Sequence, residues 1–393
     1  MPKSVMVHSF SEVPRAEIPR SSFDRSHGLK TTFDADLLVP ILVDDIIPGD
    51  TFNVNCSFVA RLASPTILPL MDNMFLETFF FFVPYRLIWE NWERFCGAQD
   101  DPGDVITFTV PVIAGAVVTP VASLGDYMGL PLGVDADSLV TCSSLPFRAY
   151  YLIWDDWFRD QNLQDGLDFA INNGPDGTLN ANSCLKRGKR HDYFTSCLPW
   201  PQKGTAVSLP LQGNAIIHAG SGLTPGGNES INVFSDDQAD ERFMEVAGTN
   251  LLHLAATGDE NTDRLLYADL SSATAATINQ LRLAFQTQRL LERDARAGTR
   301  YVEHLLAHYG VTSPDFRLQR PEFLGGGSSR IQVSPVAQTT YQGTQTIEDS
   351  KGALAGIGTV SGNHSWTKSF VEHGVIIGLA NVRGDITYSQ GID

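Results

Sequence analysis

The chain is short of charge, shortest of cations, and has no motif that carries covalent chemistry. Each shortage narrows what it can do. Asp, Glu, Lys and Arg make up 19% of the 393 residues, below the ~25% usual for globular proteins. Two designs fit that figure: a protein whose surface is widely covered by neighbours, or a β-rich fold with polar, uncharged loops. There are 28 Lys and Arg against 45 Asp and Glu, a net charge of −17. Phosphate contact runs on Lys and Arg, so such a chain is a poor non-specific nucleic-acid binder. Any nucleic-acid role has to be local, or shared with a separate basic protein.

Cysteine is scarce as well. Cys56, Cys96, Cys142, Cys184 and Cys197 are odd in number and widely spaced, with no CxxC pair and no Cys/His cluster. That argues against a zinc site and for buried reduced thiols in a reducing compartment. The N-terminus has no apolar segment of the signal-peptide kind. A membrane span needs ~20 largely apolar residues. The richest stretch, Phe75 to Asp100, is cut by Glu77, Pro84, Arg86 and Glu90, so no membrane insertion is expected. Catalytic signatures are missing: no GxSxG, no Ser/His/Asp arrangement, no evident acid/base pair of carboxylates. Gly325–Gly327 is followed by no Lys-Ser/Thr and no helix start, which excludes a Walker loop and leaves flexibility or close backbone approach. Asp259–Asp263 begins like a calcium loop, but Arg264 and Leu270 stand where Gly and a bidentate Glu are required. No catalytic residue, cofactor or metal is expected, and nothing argues for an enzyme.

Aromatic residues, in contrast, are concentrated. Phe79–Phe82 stand in a row, and Trp89 and Trp92 follow. The run is too apolar for one-sided burial and predicts a strand covered on both faces. Thr51 to Val59 alternates Phe52, Val54, Cys56 and Phe58 against Asn53, Asn55 and Ser57, the period of a half-buried strand. Pro48-Gly49-Asp50 marks a turn before it. Short helices are predicted over Arg86–Phe95 and within Leu145–Asp165, where Tyr150, Trp154, Trp157 and Phe158 share a face. Residues 277–309 carry the strongest helical signal, with a Thr277/Gln280 capping box, an interruption at Gly298 and a stop at Gly310. His304 and His308 are spaced i, i+4, but with no HExxH and no carboxylate at ligand spacing they read as surface histidines. Residues 311–393 return to β character, with a strand pair over "SFVEHGVIIGLANVR".

Two sets of residues are candidate contacts. Lys186, Arg187, Lys189 and Arg190 form the densest basic cluster, close to Tyr193, Phe194 and Trp200. Basic groups beside aromatics can hold single-stranded nucleic acid by charge and stacking; alternatively the cluster pairs with the protein's own carboxylates or with a neighbouring subunit. Trp89, Trp92, Trp154 and Trp157 are candidate subunit anchors, since Trp is enriched at interface hot spots; the other reading is internal packing. Residues 1–32 read as an extended arm, and 205–274, acidic and Gly-rich, as an inserted surface subdomain.

Long blocks of the sequence carry a resemblance: "RSSFDRSHGLKTTFDADLLVPILVDDIIPGDTFNV", "ARLASPTILPLMDNMFLETFFFFVPYRLIWENWERFCG", "LPFRAYYLIWDDWFRDQNLQ", "LKRGKRHDYFTSCLPWPQKG", "LLERDARAGTRYVEHLLAHYGV" and "SPDFRLQRPEFLGGGSSRIQVSPVAQT". From Arg20 onward the chain resembles the major capsid proteins of microviruses, in particular the gokushovirus-like branch. The resemblance implies a mainly β fold, an eight-stranded antiparallel viral jelly roll over 33–393 with long inter-strand insertions and a few helices. It implies self-assembly into a T=1 icosahedral shell of a bacterial virus, assembled in the host cytoplasm around circular single-stranded DNA. The partners implied are a small basic DNA-binding protein, a scaffolding protein and a host surface receptor, with 205–274 placed to form the threefold protrusion. Family members run on past "GVIIGLANVRGDITYSQGID", so the readings of this end are a truncated chain, one split across reading frames, or a divergent short form. The other reading of the residues is a carbohydrate- or receptor-binding β-sandwich module of a phage particle.

Overall fold

The computed structural model describes residues 19–63, 72–113, 119–132, 142–176, 183–208, 216–219, 231–233, 242–247, 251–255, 266–269, 277–312, 319–337 and 354–388. In chain order the strands are β1 (Val39–Ile46), β2 (Thr51–Arg61), β3 (Met74–Pro84), β4 (Ile216–Ala219), β5 (Ile231–Val233), β6 (Arg242–Ala247), β7 (Leu251–Ala255), β8 (Leu266–Asp269), β9 (Glu322–Arg330), β10 (Gln332–Ala337), β11 (Leu354–Ser369) and β12 (Gly374–Gly384). The helices are α1 (Tyr85–Ile88), α2 (Trp92–Phe95), α3 (Leu124–Tyr127), α4 (Leu145–Ile153), α5 (Ile278–Ala297) and α6 (Tyr301–Tyr309), with a π-turn at Trp154–Phe158. The chain forms two compact units, 1–159 with 166–190 and 317–393, and 160–165 with 191–316.

The first unit is mainly β, with two antiparallel sheets ordered β1-β12-β3-β9 and β10-β11-β2. Side-chain alternation decides what each strand buries. On β3, Phe80 and Phe82 point to the second sheet, where Phe80 meets Trp366 at 6.0 Å and Phe82 meets Phe370 at 4.8 Å between ring centroids. Phe79 and Phe81 point the other way and meet Phe158 at 5.3 and 5.9 Å. The phenylalanine run is therefore a strand covered on both faces, as its composition predicts. β12 repeats the pattern: Ile376 joins the core between the sheets, while Val375, Ile377 and Leu379 join a larger core with Ile88, Trp89, Phe147, Tyr150 and Ile153. Burying one Phe side chain contributes ~1.5–3 kcal/mol, so this quartet is a principal local source of stability.

The triple glycine is explained by close approach. Gly325, Gly326 and Gly327 pair with Phe80, Phe79 and Thr78. A Cβ on Gly326 would lie 2.1 Å from the Thr78 carbonyl oxygen, and one on Gly325 2.9 Å from Trp366 Cβ. β9 thus slides under β11 where no side chain fits.

Three sequence expectations are corrected. Arg86–Phe95 is not one helix but two single turns, because Trp89 adopts an extended backbone, with φ −148° and ψ 112°, between α1 and α2. The helix within 145–165 ends as α4 at Ile153 and widens into the π-turn, which seats Phe158 beside Phe79 and Phe81. "SFVEHGVIIGLANVR" is not a paired hairpin. β11 and β12 lie in different sheets, and Phe370–His373 carries the chain between them.

In the second unit the Thr277/Gln280 capping box is present in full. Gly298 ends α5 at φ +107°, and Gly310 ends α6 in the left-handed region at φ +68°. Most of 205–274 lies outside the described residues; what is described there is the backbone of two small antiparallel sheets, β4-β8 and β5-β6-β7. Of the 1–32 arm, 19–32 are described: they form no helix or strand and are exposed. Among the described residues no helix is long and apolar enough to cross a membrane.

Candidate functional site

The basic cluster is built around a carboxylate that sequence reasoning treated only as a break in an apolar run. Glu77 sits on β3 with its side chain 5% exposed. Arg187 pairs with it, Arg190 Nη2 reaches its Oε1 at 2.6 Å, and Arg383 from β12 lies 3.3 Å from both oxygens. Burial alone would raise the Glu77 carboxyl, but the Arg187, Arg383 and Arg190 guanidiniums outweigh it and hold it below its usual value. Burial and the neighbouring guanidiniums push Arg383 down, with Glu77 opposing. Aromatic faces complete the cradle: Arg187 stands 4.7 Å over the Phe79 ring, and Arg190 5.8 Å over Phe75. Three guanidiniums face the Glu77 carboxylate, with Asp385 3.9 Å from Arg190 at the rim, so cations outnumber anions here within an acidic chain.

The other two members of the cluster sit at its rim. Lys189 Nζ lies 3.1 Å from the Tyr388 hydroxyl and 5.7 Å from that ring's centroid. Lys186 is exposed, and its backbone bridges to Leu37. Arg190 and Lys189 are exposed, while Arg187 is half-buried. The structure thus brings Arg187 and Arg190 together on Glu77 and leaves Lys186 and Lys189 beside them at the surface. A signal for this centre was legible: an acidic residue between Leu76 and Phe79 in an otherwise apolar strand requires a partner, because a buried charge is costly unless paired. Nothing local in the sequence identifies Arg383 as that partner, since it lies 306 residues away.

The four tryptophans divide. Trp89 is fully buried and donates from Nε1 to Asn173 Oδ1 at 2.7 Å. Trp154 is buried and donates to the Lys186 carbonyl at 2.9 Å. Both anchor the chain's own core and have little surface to offer a neighbour. Trp92 is half-buried against Tyr85 (4.6 Å), Phe95 and His373. Trp157, 37% exposed, donates to the Pro321 carbonyl and carries Arg320 at 4.6 Å over its ring. Trp92 and Trp157 are the two that retain surface.

A second ionic centre is wholly internal. Arg148 on α4 is fully buried and bidentate to Asp176, with both contacts at 2.7 Å. Its Nη1 donates to the Ile88 and Asn172 carbonyls at 2.9 Å each. It ties α4 to the turn after α1, a structural role. In the second unit, the i, i+4 pair His304 and His308 is not without a carboxylate. The α5–α6 turn delivers Asp294, whose Oδ1 lies 3.3 Å from His304 Nδ1 and 2.5 Å from His308 Nε2.

The comparisons with known proteins agree with one another. Residues 11–393 match the family described as capsid protein (F protein). The chain is 46% identical over 402 residues to the capsid protein VP1 of Bdellovibrio phage phiMH2K, covering 98% of this chain and 73% of that protein. It is 35% identical over 462 residues to the capsid protein VP1 of Chlamydia phage 1, covering 99% and 75%. It is 36% identical over 416 residues to the capsid protein VP1 of Spiroplasma virus 4, covering 98% and 73%.

Proposed function

This chain belongs to the phage capsid F-protein family, and from that premise we propose how it builds its shell: as an eight-stranded jelly roll that closes sixty-fold into a T=1 icosahedron around circular single-stranded DNA. The chain is a microvirus major capsid protein, a structural component of the virion and not an enzyme.

The observation that carries the jelly-roll reading is the sheet order. β1, the first described strand of its unit, lies beside β12, the last one described, and β12 lies beside β3. A late strand that returns by a long connection to the side of the first is a feature of Greek-key winding, and a jelly roll is two such keys. β11-β2 faces this sheet across the Phe80–Phe82–Trp366–Phe370 core. Seven strands of the barrel unit lie among the described residues.

Exposed apolar groups support burial by further copies. On α5 and α6 alone, Leu283, Phe285, Tyr301 and Tyr309 are each more than 60% exposed. Large exposed apolar side chains in such number suit burial against a partner surface. Trp92 and Trp157 are the interface candidates that retain surface. The charge balance supports a division of labour in DNA packaging. With −17 on the chain, the exposed Lys186, Lys189 and Arg190 make local contact with DNA, and a small basic protein supplies the remaining phosphate neutralisation. Scaffolding protein and host receptor complete the set of partners, with 205–274 as the threefold protrusion that meets the receptor. Exchanging 205–274 between related phages then changes adsorption; unchanged host range overturns that assignment.

Sedimentation velocity on the chain co-expressed with its genomic neighbours tests the shell. Sixty copies of a 43.0 kDa chain give a closed particle of about 2.6 MDa, and a single fast boundary near that mass is expected. A boundary at one to five subunits under every co-expression condition overturns the T=1 reading.

A further inference from the structure

Asp294 on α5 and His304 and His308 on α6 each aim one donor atom at a common point, and all three atoms lie within 4.8 Å of one another. We propose that these residues bind a first-row divalent transition ion of the zinc class, clamping the α5–α6 hairpin.

The geometry comes from the hairpin. Gly298 ends α5 and the chain reverses within three residues into α6. His304 and His308, one helical turn apart, share the face that meets α5, with ring centroids 4.3 Å apart. Two histidines at i, i+4 on one helix face are a recurrent pair of zinc ligands. Asp294 comes from the facing helix and contributes the third donor. Around a tetrahedral ion with bonds of ~2.0–2.1 Å, ligand atoms stand about 3.3–3.4 Å apart. His304 Nδ1 to Asp294 Oδ1 is already 3.3 Å. His308 Nε2 to the same oxygen is 2.5 Å, so that edge has to open by under one ångström, a movement within the reach of the partly exposed Asp294 carboxylate.

Donor type selects the ion. Two imidazole nitrogens suit Zn2+, Co2+, Ni2+ or Cu2+, whereas Ca2+ and Mg2+ demand oxygen donors. Three protein donors leave a fourth position. Two of the donors, Asp294 and His304, also line a cleft of about 380 Å3 with Lys203, Gly298, Thr299, Arg300 and Tyr301. The two cations there are engaged by other groups: Lys203 Nζ donates to the Gly298 carbonyl of the cleft wall at 2.7 Å, and Arg300 pairs with Glu303 at 3.0 Å. Water completes the shell.

Cobalt titration of the purified full-length chain is the test. One Co2+ per chain is expected, with the visible absorption of low-symmetry four-coordination, displaced by equimolar Zn2+. His308→Ala and His304→Ala are each expected to weaken binding at least tenfold, because losing even an outer-sphere partner of a ligand costs 10–100-fold. His304 is 43% exposed, so its variant keeps the helical circular dichroism of the parent and separates loss of ligand from loss of fold. Calcium produces no competition. Absence of saturable binding, or one-to-one binding that survives both substitutions, overturns the proposal.

Discussion

Glu77→Gln removes one negative charge and keeps the shape of the side chain, and its consequence can be worked through. The parent carboxylate neutralises part of the charge on Arg187, Arg190 and Arg383. The variant leaves three guanidiniums facing a neutral amide in a pocket where Arg383 and the substituted side chain are almost fully buried. Breaking a buried ion pair by removing one partner costs ~3–5 kcal/mol. With a urea m-value of ~3 kcal/mol/M, that moves the unfolding midpoint down by on the order of 1 M. The pH dependence has a definite sign. The folded carboxyl is held below its usual value, so its contribution is complete above the unfolded value of about 4.3 and lost as pH falls through the folded one. Urea titrations followed by tryptophan fluorescence, repeated from pH 7 to pH 3, read both effects. The parent is expected to lose stability more steeply than the variant below pH 4.5. Adding Arg383→Met to Glu77→Gln should recover part of the loss, since the charge left behind is removed. A Glu77→Gln midpoint within 0.2 M of the parent, or an identical acid slope, would refute the reasoning.

Arg148→Met strands Asp176 and two carbonyls in the interior and is expected to cost ~3–5 kcal/mol, while Arg148→Met with Asp176→Leu costs less than the single change; thermal melts of the pair decide. Gly326→Ala forces a Cβ to 2.1 Å from the Thr78 carbonyl, and overpacking of ~1–3 kcal/mol or more should lower the melting temperature. Gly28→Ala meets nothing within 4 Å and should leave it unchanged; equal effects would undo the close-approach account. Burial pushes the Cys184 thiol up to about 12, whereas Cys197 is exposed. At pH 8 a disulfide reagent should titrate the exposed Cys197 well before the half-buried Cys184, and equal rates at the two would contradict the raised Cys184 thiol.

Much of the fold was legible wherever one local period decided the outcome. The alternation of Phe52, Val54, Cys56 and Phe58, the doubly covered Phe79–Phe82 and the Thr277/Gln280 cap each depend on residues within a few positions. What escaped was set by distant parts of the chain. Trp89 leaves helical geometry because its indole is fixed to Asn173, 84 residues on. β11 and β12 read as a pair because they are adjacent in sequence, yet each finds better apolar partners in a different sheet. The carboxylate that completes the histidine pair is ten residues upstream of His304, invisible to helical spacing and supplied by a turn. The basic cluster was legible as a cluster, but the anion at its centre belongs to another strand.

The neighbouring placement of β1, β3 and β12 has a consequence for how the chain is made. Phe82 pairs with Ile376, roughly 300 residues later. At ribosomal speeds of 5–20 residues per second, β3 emerges roughly 15–60 s before its partner exists. Through that interval four consecutive phenylalanines have no sheet to enter. Until β12 is made, that apolar strand is exposed to the off-pathway association that long-range strand pairing invites.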